Sequence, residues 1–534
     1  MKSVINILIF AISIIISAEY SHSQVTEEWT KRFTSDSVRT DNIRDMHVDE
    51  QGNVYLTGSQ RQTSLNLDIQ ALTVKYNSNG DQLWIQNYIA PSANGAFGRA
   101  IHVDASGNVY ITGENAIYSG GSNEMLVIKY SSGGTQLWAN RFQYVGGFYC
   151  GGFDLITDAD GNVYVTGEYG NGGNNIFIAK YNSGGTLIGQ TFYNAGSEGG
   201  RKIALDGSGK IIVGGYANSS TAISVIALKY EQNLDFVWAT KWDSLTTNVT
   251  DYDMAVDINS NVILIGTRTN SIDFATVKIN SSGAVQWSKL YNSGSDIPRG
   301  VVTDDSGNVY VGGETGNSGQ PLSYRFCIVK YDPSGNEKWV RTYAEGDGYA
   351  GYDIAIDNSS NIYMTGSSYN NSDIATIKYN SEGVFQWAAN YNGTGNSMDV
   401  GYTIGTDAAG NTYTSGSSIG SGTGYDIVTI KYASVSIGIQ NISSEFPDGY
   451  SLSQNYPNPF NPSTVINFSV PKSGHAELRI FDISGKEIET LHKGFLNAGQ
   501  YRYDFSPAGI SSGVYFYKLE TTDFTDVKKM TFMK

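Results

Sequence analysis

Long runs of helix-forming residues and charged side chains are both scarce in this chain of 534 residues. Only 16% of the residues are charged, whereas there are 62 glycines and 37 tyrosines. Short strands rich in aromatic and β-branched residues, joined by glycine-containing turns, produce such a composition. The composition therefore predicts an all-β protein and argues against a helical fold.

Positive charge is also in short supply. The chain has 35 basic and 51 acidic residues, which gives a formal net charge of −16. From Asp448 to the end, nine acidic and nine basic residues balance, so the excess acid lies in the preceding part. A surface this acidic repels phosphate backbones, and we exclude nucleic acid as a partner.

Cysteine is nearly absent. Cys150 and Cys327 are the only two, and they lie three repeats apart in the array described below. Because a disulfide requires Cα atoms within about 7 Å, we expect two free thiols with a structural role.

The N-terminus lacks a hydrophobic run long enough to cross a membrane comfortably as a helix. Lys2 precedes an almost unbroken apolar stretch over residues 4–17, and small residues follow. A positive start, a short apolar run and small residues are typical of a secretory signal peptide, which we predict over residues 1–23. An uncleaved membrane anchor is the alternative; no second span is apparent, so we expect no transmembrane segment in the mature chain.

One sequence unit occurs eight times. The phrase Asp-x-x-Gly-Asn-Val-Tyr, or a close variant, begins at Asp49, Asp104, Asp158, Asp206, Asp257, Asp304, Asp357 and Asp407. Each copy continues with a variable stretch, an apolar run ending in Lys-Tyr, a polar turn and a tryptophan. Four short strands in about 50 residues are the size of one propeller blade.

The ends of the array determine the predicted number of blades. The eighth copy stops after its third strand at Tyr432, whereas an isolated strand with Trp29 precedes the first copy. A ring in which the N-terminal strand completes the last blade explains both features and covers two sheet edges. We predict an eight-bladed β-propeller over residues 25–432.

The repeated residues have structural interpretations. The aspartate can accept hydrogen bonds from backbone N–H groups of its own turn, where the glycine supplies a positive φ. The tryptophan is expected to fill the junction between blades, with Ile188 replacing it in blade 3. A calcium loop is the alternative, although the additional carboxylates of an oxygen cage are missing.

The repeat resembles the "beta-propeller repeat" of exported bacterial proteins, with eight units here instead of seven. The resemblance covers residues 29–432 and rests on the aspartate turn, the Lys-Tyr strand and the tryptophan. Kelch repeats share the order of glycine, tyrosine and tryptophan but fit the turn less well.

The C-terminal part differs in composition, because six of the ten prolines fall between Pro447 and Pro507. Alternating strands and glycine-rich turns predict a linker over residues 433–447 and a small immunoglobulin-like β-sandwich over residues 448–534. The segments Asn455–Thr464, Gly513–Lys518 and the Lys528-Lys529-Met530 sequence resemble the C-terminal sorting domain of type IX secretion. The resemblance implies handling by that secretion machinery, then release from the cell or attachment to its outer surface. An accessory immunoglobulin-like binding domain is the alternative.

The candidate site lies at the mouth of the central channel. Two connections per blade are short turns on one face, so the two variable connections must emerge on the other. On the innermost strands, odd blades place an aspartate four residues before the motif aspartate, and four blades place an arginine five residues before it. These residues are Asp45, Asp154, Asp253, Asp353, Arg44, Arg99, Arg201 and Arg299. They could hold a cation or polar ligand, but Arg–Asp pairing between neighbouring blades is the favoured interpretation because buried carboxylates need partners.

Catalytic motifs are lacking. His47 and His102 occupy the same position in adjacent blades, but no third metal ligand is in register. We expect no cofactor and no metal. The sequence favours a secreted or surface-displayed binding or scaffold protein whose ligand is a protein or a glycan. The alternative is an extracellular glycan-active hydrolase or lyase that uses the Asp and Arg side chains of the channel mouth.

Overall fold

The chain forms two compact β-sheet units in a computed structural model. One unit is Val25–Ser434, and the other contains Val435–Lys534. The structure describes residues 25–34, 40–61, 69–89, 95–117, 122–143, 149–170, 174–218, 223–242, 252–268, 272–317, 320, 323–344, 348–368, 372–434, 439–443, 447–472, 474–496, 498–505, 507 and 510–533. The predicted signal peptide lies outside these residues.

The first unit consists of eight antiparallel blades, counted over its described residues. Each blade runs from an innermost to an outermost strand, and the first strand of the chain, β1 (Val25–Phe33), belongs to the last blade. Blades 1 to 4 contain β2 (Asn42–Val48), β3 (Val54–Arg61), β4 (Ile69–Tyr76), β5 (Gln82–Tyr88); β6 (Gly95–Val103), β7 (Val109–Ile117), β8 (Ser122–Tyr130), β9 (Gln136–Phe142); β10 (Tyr149–Thr157), β11 (Val163–Gly170), β12 (Asn174–Tyr181), β13 (Leu187–Tyr193); and β14 (Ser197–Leu205), β15 (Ile211–Asn218), β16 (Ile223–Tyr230), β17 (Phe236–Trp242). A single parallel bridge between Ile69 and Gly95 joins blades 1 and 2 into one sheet.

Blades 5 to 8 repeat the arrangement. They contain β18 (Asp253–Val256), β19 (Val262–Arg268), β20 (Asp273–Ile279), β21 (Val285–Tyr291); β22 (Ser295–Thr303), β23 (Val309–Gly316), β24 (Arg325–Tyr331), β25 (Glu337–Tyr343); β26 (Tyr349–Ile356), β27 (Ile362–Ser368), β28 (Ile374–Tyr379), β29 (Phe385–Tyr391); and β30 (Asp399–Thr406), β31 (Thr412–Ile419), β32 (Tyr425–Ser434). Most residues of the second and third strands are buried on both faces of the blade. Neighbouring blades share these apolar clusters, which form the core between them.

The N-terminal strand is the outermost strand of blade 8. β1 pairs with β32 in antiparallel register, with Trp29 opposite Lys431 and Phe33 opposite Ile427. It also contacts blade 1, because the Nε1 of Trp29 donates to the carbonyl of Ser78 at 3.0 Å.

The motif aspartate organises the first turn of every blade. In blade 1 the Oδ1 of Asp49 accepts the backbone N–H groups of Gln51 and Asn53 at 3.0 and 2.8 Å. In each of the eight copies the Oδ1 accepts the N–H of the residue four positions later. The structural interpretation of this aspartate is confirmed.

At six of the eight junctions, a tryptophan joins one blade to the next at the hairpin turn between the third and fourth strands of that next blade, and at most of these junctions a lysine bonds to the same turn. Trp84 Nε1 and Lys75 Nζ both donate to the carbonyl of Ser132 in blade 2, at 3.1 and 3.4 Å. The Trp84 indole packs on Gly134 of the same turn, and a Cβ at Gly134 would lie only 2.7 Å from the ring. The φ of 86° at this position also favours glycine. We call this contact the Trp–turn latch; its tryptophans are Trp29, Trp84, Trp138, Trp238, Trp287 and Trp339.

Blade 3 departs from the predicted replacement of its tryptophan by Ile188. Lys180 pairs with Gly189, which is the position that tryptophan occupies elsewhere, and Ile188 is 51% exposed. Leu234, with a φ of 71°, replaces the turn glycine of blade 4 and packs 3.1 Å from where a Cβ of Gly189 would lie. A large and a small residue have exchanged places across this junction.

The second unit is a sandwich of two four-stranded sheets. Its strands are β33 (Ile439–Ser443), β34 (Ser451–Leu452), β35 (Thr464–Val470), β36 (Gly474–Phe481), β37 (Glu487–Leu496), β38 (Gly499–Phe505), β39 (Gly513–Thr521) and β40 (Thr525–Phe532). The sheets have the orders β33-β38-β35-β34 and β37-β36-β39-β40 and enclose one apolar core. β33 lies inside the predicted linker and pairs with β38, so that part of the linker prediction is wrong. The immunoglobulin-like comparison stays a prediction.

Candidate functional site

A β-bulge in the innermost strands shapes the channel lining. In seven blades the register shifts at the position five residues before the motif aspartate, so that this residue is extra and has no partner on the second strand. A bulge re-aims the neighbouring side chains. The bulge position is occupied by Arg44, Arg99, Phe153, Arg201, Arg299, Tyr352 and Tyr402, with Tyr252 at the equivalent place in blade 5. We call these eight residues the Arg–aromatic tier.

The residue after the bulge forms a second level, the Asp tier, which consists of Asp45, Asp154, Asp253 and Asp353. Each of these carboxylates accepts a backbone N–H from the innermost strand of the following blade through Oδ2, at 2.9 Å in every case. The donors are Ile101, Ile203, Val301 and Ile404. The Asp tier therefore ties each odd blade to the even blade after it.

Lys202 lies among the four carboxylates. Its Nζ is 3.4 Å from Asp253 Oδ1, and the pKa of Lys202 is raised, first by Asp253 and then by the other three aspartates. Burial raises the pKa values of Asp45, Asp154 and Asp353 to about 6, although Lys202 partly opposes this. The Lys202 side chain is 47% exposed, so water enters the channel and screens these charges.

The predicted pairing of the arginines with the Asp tier is wrong. Arg99, Arg201 and Arg299 instead form ion pairs with glutamates of second strands, which begin five residues after the motif aspartate. The pairs are Arg99–Glu114 at 2.7 Å, Arg201–Glu168 at 2.5 Å and Arg299–Glu314 at 3.0 Å. The longer glutamate side chains reach the bulge, whereas the Asp tier is occupied by backbone N–H groups.

Aromatic rings fill the spaces between these guanidinium groups. The Phe153 ring lies between Arg99 and Arg201, whose guanidinium carbons are 4.7 and 3.9 Å from its centroid. Such contacts are favourable cation–π interactions. On the other side of the channel, Tyr352 and Tyr402 meet edge to face at 5.4 Å.

Arg44 differs from the other three arginines. It is exposed, and none of the described carboxylates lies within ion-pair distance of its guanidinium group. Its charge acts on Tyr402, which is 40% exposed. Arg44 and Tyr402 therefore form the most accessible part of the tier, at the junction of blades 8 and 1.

The rings of the two channel histidines lie nearly perpendicular to each other. The rings of His47 and His102 meet edge to face at 6.0 Å, and His102 Nε2 is hydrogen-bonded to Thr157 Oγ1 at 2.9 Å. Burial lowers the pKa of His102 to about 4. Within the described part of the chain, no group of three or more His, Cys, Asp or Glu side chains is arranged to hold a metal ion.

Two features of the site escaped the sequence interpretation. Lys202 stands in blade 4 at the Asp tier position, and a single lysine facing several aspartates was the available signal. The glutamates follow the glycine of the second strand in blades 2, 3 and 6, whereas blade 1 has Ser59 at that position and so offers Arg44 no carboxylate there. Most of the variable loops lie outside the described residues.

A family model for a secretion system C-terminal sorting domain matches residues 454–533. The C-terminal unit is a type IX sorting domain. The sorting domain directs the chain out of the cell, to the extracellular space or the cell surface. Within the propeller, residues 286–319 match a beta-propeller repeat. No curated protein matches this sequence.

Several solved structures are similar in fold to this chain, among them a β-propeller domain. They include the WD40 domain of coronin from Toxoplasma gondii (8% identity, 77% of this chain and 89% of that chain, TM-score 0.40). The β-propeller domain of the Trilobed protease from Pyrococcus furiosus has 8% identity over 65% of this chain and 98% of that one, with a TM-score of 0.39. Prolyl oligopeptidase B from Galerina marginata has 9% identity, 81% and 56% coverage and a TM-score of 0.41. In the described residues, no helix is long and apolar enough to cross a membrane.

Proposed function

We propose that this exported propeller is a binding or scaffold protein whose ligand, a protein or a glycan, docks at the Arg–aromatic tier. The supporting observation is the exposed pair of Arg44 and Tyr402, a guanidinium group with no carboxylate partner among the described residues beside an accessible aromatic ring. Such a pair supplies directed hydrogen-bond donors and an apolar face at one point.

The chemistry of the tier favours a glycan. Sugar rings present C–H groups that pack on aromatic faces and hydroxyls that bond to guanidinium and carboxylate groups. The Asp tier below adds acceptor oxygens and net negative charge, with Lys202 as its cation. This charge disfavours a strongly anionic polymer, so the proposed ligand is a neutral or weakly acidic glycan.

A glycan array probed with the mature propeller tests the proposal. We expect binding that Arg44→Ala and Tyr402→Ala each weaken by at least about tenfold, as for loss of a charged hydrogen bond or an aromatic contact. Arg141→Ala is the control, because Arg141 lies on the outermost strand β9 and pairs with Glu124. Equal binding by all three variants would exclude this tier, and capture of a protein with no glycan bound would favour the protein ligand.

The alternative, a glycan-active hydrolase or lyase, has one feature in its favour. Carboxyl groups with pKa values near 6 can donate or accept a proton close to neutral pH. Asp45→Asn and Asp154→Asn would then abolish glycan cleavage while glycan binding persists. Recovery of the bound glycan with unchanged mass would reject the enzyme.

A further inference from the structure

The start of the sorting domain is hydrogen-bonded to its last strand. Gln454 Nε2 and Asn458 Nδ2 both donate to the carbonyl of Lys529, at 2.7 and 3.2 Å. Asn458 Oδ1 accepts the N–H of Thr531 at 2.9 Å. The side-chain amide of Asn458 therefore bonds to β40 as a neighbouring peptide group would.

Backbone groups extend this pairing to the end of the chain. Phe460 N–H donates to the carbonyl of Thr531, and Met533 N–H donates to the carbonyl of Phe460, each at 3.0 Å. Phe460 and Phe532 form an isolated parallel bridge. We call residues 454–460 the clasp.

Two buried side chains anchor the clasp to the sandwich. Asn455 is 1% exposed; its N–H donates to the hydroxyl of Tyr517 at 2.7 Å, and its Nδ2 donates to Thr464 Oγ1 at 2.9 Å. Phe460 is also 1% exposed, with its ring centroid 5.2 Å from that of Phe532. The clasp is therefore fixed at both of its ends.

The position of β40 explains what the clasp does. β40 is an edge strand of its sheet, so one row of its N–H and C=O groups would otherwise face solvent. A bare edge offers a template for pairing with other chains. The clasp occupies this row at Lys529, Thr531 and Met533 and thus keeps the last strand in the fold.

We propose that the clasp is a positioning element for export: it holds β40 in the folded sandwich, and the secretion machinery handles the sorting domain in that form. The inference rests on the sorting role assigned above, not on the ligand of the propeller. The residues matched by the family model begin at Gln454 and end at Met533, and these two residues belong to the contact itself. The first and last residues of the matched sorting domain are thus both part of the contact between the clasp and β40.

Asn458→Asp tests the proposal, with Asn461→Asp as a matched control. The substitution replaces the Nδ2 donor by a negatively charged oxygen facing the carbonyl of Lys529, which breaks one bond and adds repulsion. Asn461 also precedes a proline in the same loop, but it is exposed and its side chain makes no hydrogen bond to a described residue. Two readouts on the full chain are hydrogen exchange of the peptide 525–533 and the exported fraction in producing cells.

We expect Asn458→Asp to speed exchange of the 525–533 peptide at least tenfold and to lower the exported fraction at least fivefold, whereas Asn461→Asp changes neither. Faster exchange with normal export would overturn the proposal, because the machinery would then accept an unfolded C-terminal strand. Unchanged exchange would show that the clasp does not hold β40. If Asn458→Asp unfolds the whole sandwich, Gln454→Ala decides, since it removes the two 2.7 Å hydrogen bonds that Gln454 Nε2 donates to the carbonyl of Lys529 and to Asn455 Oδ1, and it leaves the buried Asn455 and Phe460 side chains in place.

Discussion

Lys202 carries a positive charge into a channel where four carboxylates approach each other. Its Nζ contacts Asp253, and its charge also reaches Asp45, Asp154 and Asp353. The equivalent residues of the other even blades are Ala100, Gly300 and Thr403, so no second cation occupies this level in the described part of the channel. The charge balance of the channel depends on this one residue.

Lys202→Met should therefore destabilise the propeller at neutral pH, by about 1 kcal/mol because water in the channel screens the charges. The loss should shrink at pH 5, where the carboxyls with pKa values near 6 are protonated. Urea denaturation at pH 7.5 and pH 5 measures both. Lys289→Met on the outer strand β21 serves as the control, and an equal effect at both pH values would contradict the electrostatic explanation.

At the scale of elements, the Trp–turn latch is a unit of two residues from two blades. Six tryptophans donate to a turn carbonyl of the next blade, and their indoles pack on turn glycines, as Trp84 packs on Gly134. Between blades 3 and 4 the same space is filled from the opposite side by Leu234, facing Gly189. The space between two blades is thus filled by a tryptophan of the preceding blade at six junctions and by a leucine of the following blade at this one.

Gly189→Trp and Leu234→Gly should each destabilise the propeller, whereas the double variant should recover most of the loss. The tryptophan alone collides with Leu234 and the glycine alone leaves a void, each costing about 1–3 kcal/mol. Together they restore the latch present at six other junctions, and the glycine relaxes a φ of 71°. A double-mutant cycle by chemical denaturation measures the coupling; additive losses would reject the exchange.

Blade 8 has no hairpin turn, because β32 continues to Ser434 and pairs with β1. Trp387 of blade 7 is consequently buried with its Nε1 lacking a hydrogen-bond partner among the described residues, whereas Trp339 Nε1 donates to the carbonyl of Ser381 at 3.2 Å. Trp387→Phe should cost about 1 kcal/mol less than Trp339→Phe, since it removes no hydrogen bond. Thermal unfolding of the two variants compares them; equal losses would mean that Trp387 has an acceptor.

On the scale of the whole molecule, the Asp tier and the histidines give opposite dependences on pH. The raised pKa values of Asp45, Asp154 and Asp353 mean that their contribution to stability is complete below pH 3.8 and is lost as the pH rises through about 6. Because the pKa values of His47 and His102 are lowered in the folded state, these residues stabilise the fold above pH 6.5, and this stabilisation is lost as the pH falls.

The free energy of unfolding of the His47→Gln/His102→Gln variant should therefore increase as the pH is lowered from 7.5 to 5. Adding Asp45→Asn, Asp154→Asn and Asp353→Asn should remove that gain, because the three carboxyls with pKa values of about 6 are then absent. Denaturation midpoints at a series of pH values provide the measurement. A gain that persists without the three carboxyls would assign it to other groups.

The sequence predicted the repeating parts of this molecule better than its exceptions. Local structures such as the aspartate turn can be predicted from the sequence, because their hydrogen-bond donors and acceptor lie within five residues of each other. The Arg201–Glu168 pair crosses from blade 4 to blade 3, and β33 finds its partner β38 about 60 residues later. The register of blade 3, which brings Gly189 instead of Ile188 opposite Lys180, depends on Leu234 of the next blade. The repeat pattern could not supply these contacts between repeats, nor the pairs Arg99–Glu114 and Arg299–Glu314 within a blade, which depend on the bulge in the innermost strand.

The bonds of the Asp tier impose parity on the ring. Each aspartate of an odd blade binds an even blade, as Asp45 binds the N–H of Ile101 and Asp353 binds that of Ile404. With an odd number of blades, two blades that both bear the aspartate, or two that both lack it, would have to be neighbours. In the first case two carboxylates would meet at the junction, and in the second the backbone N–H of the following blade would have no aspartate to accept its hydrogen bond. The building block of this propeller is therefore a pair of blades, and a ring of four such pairs can lose or gain a pair, but not a single blade, without breaking the alternation.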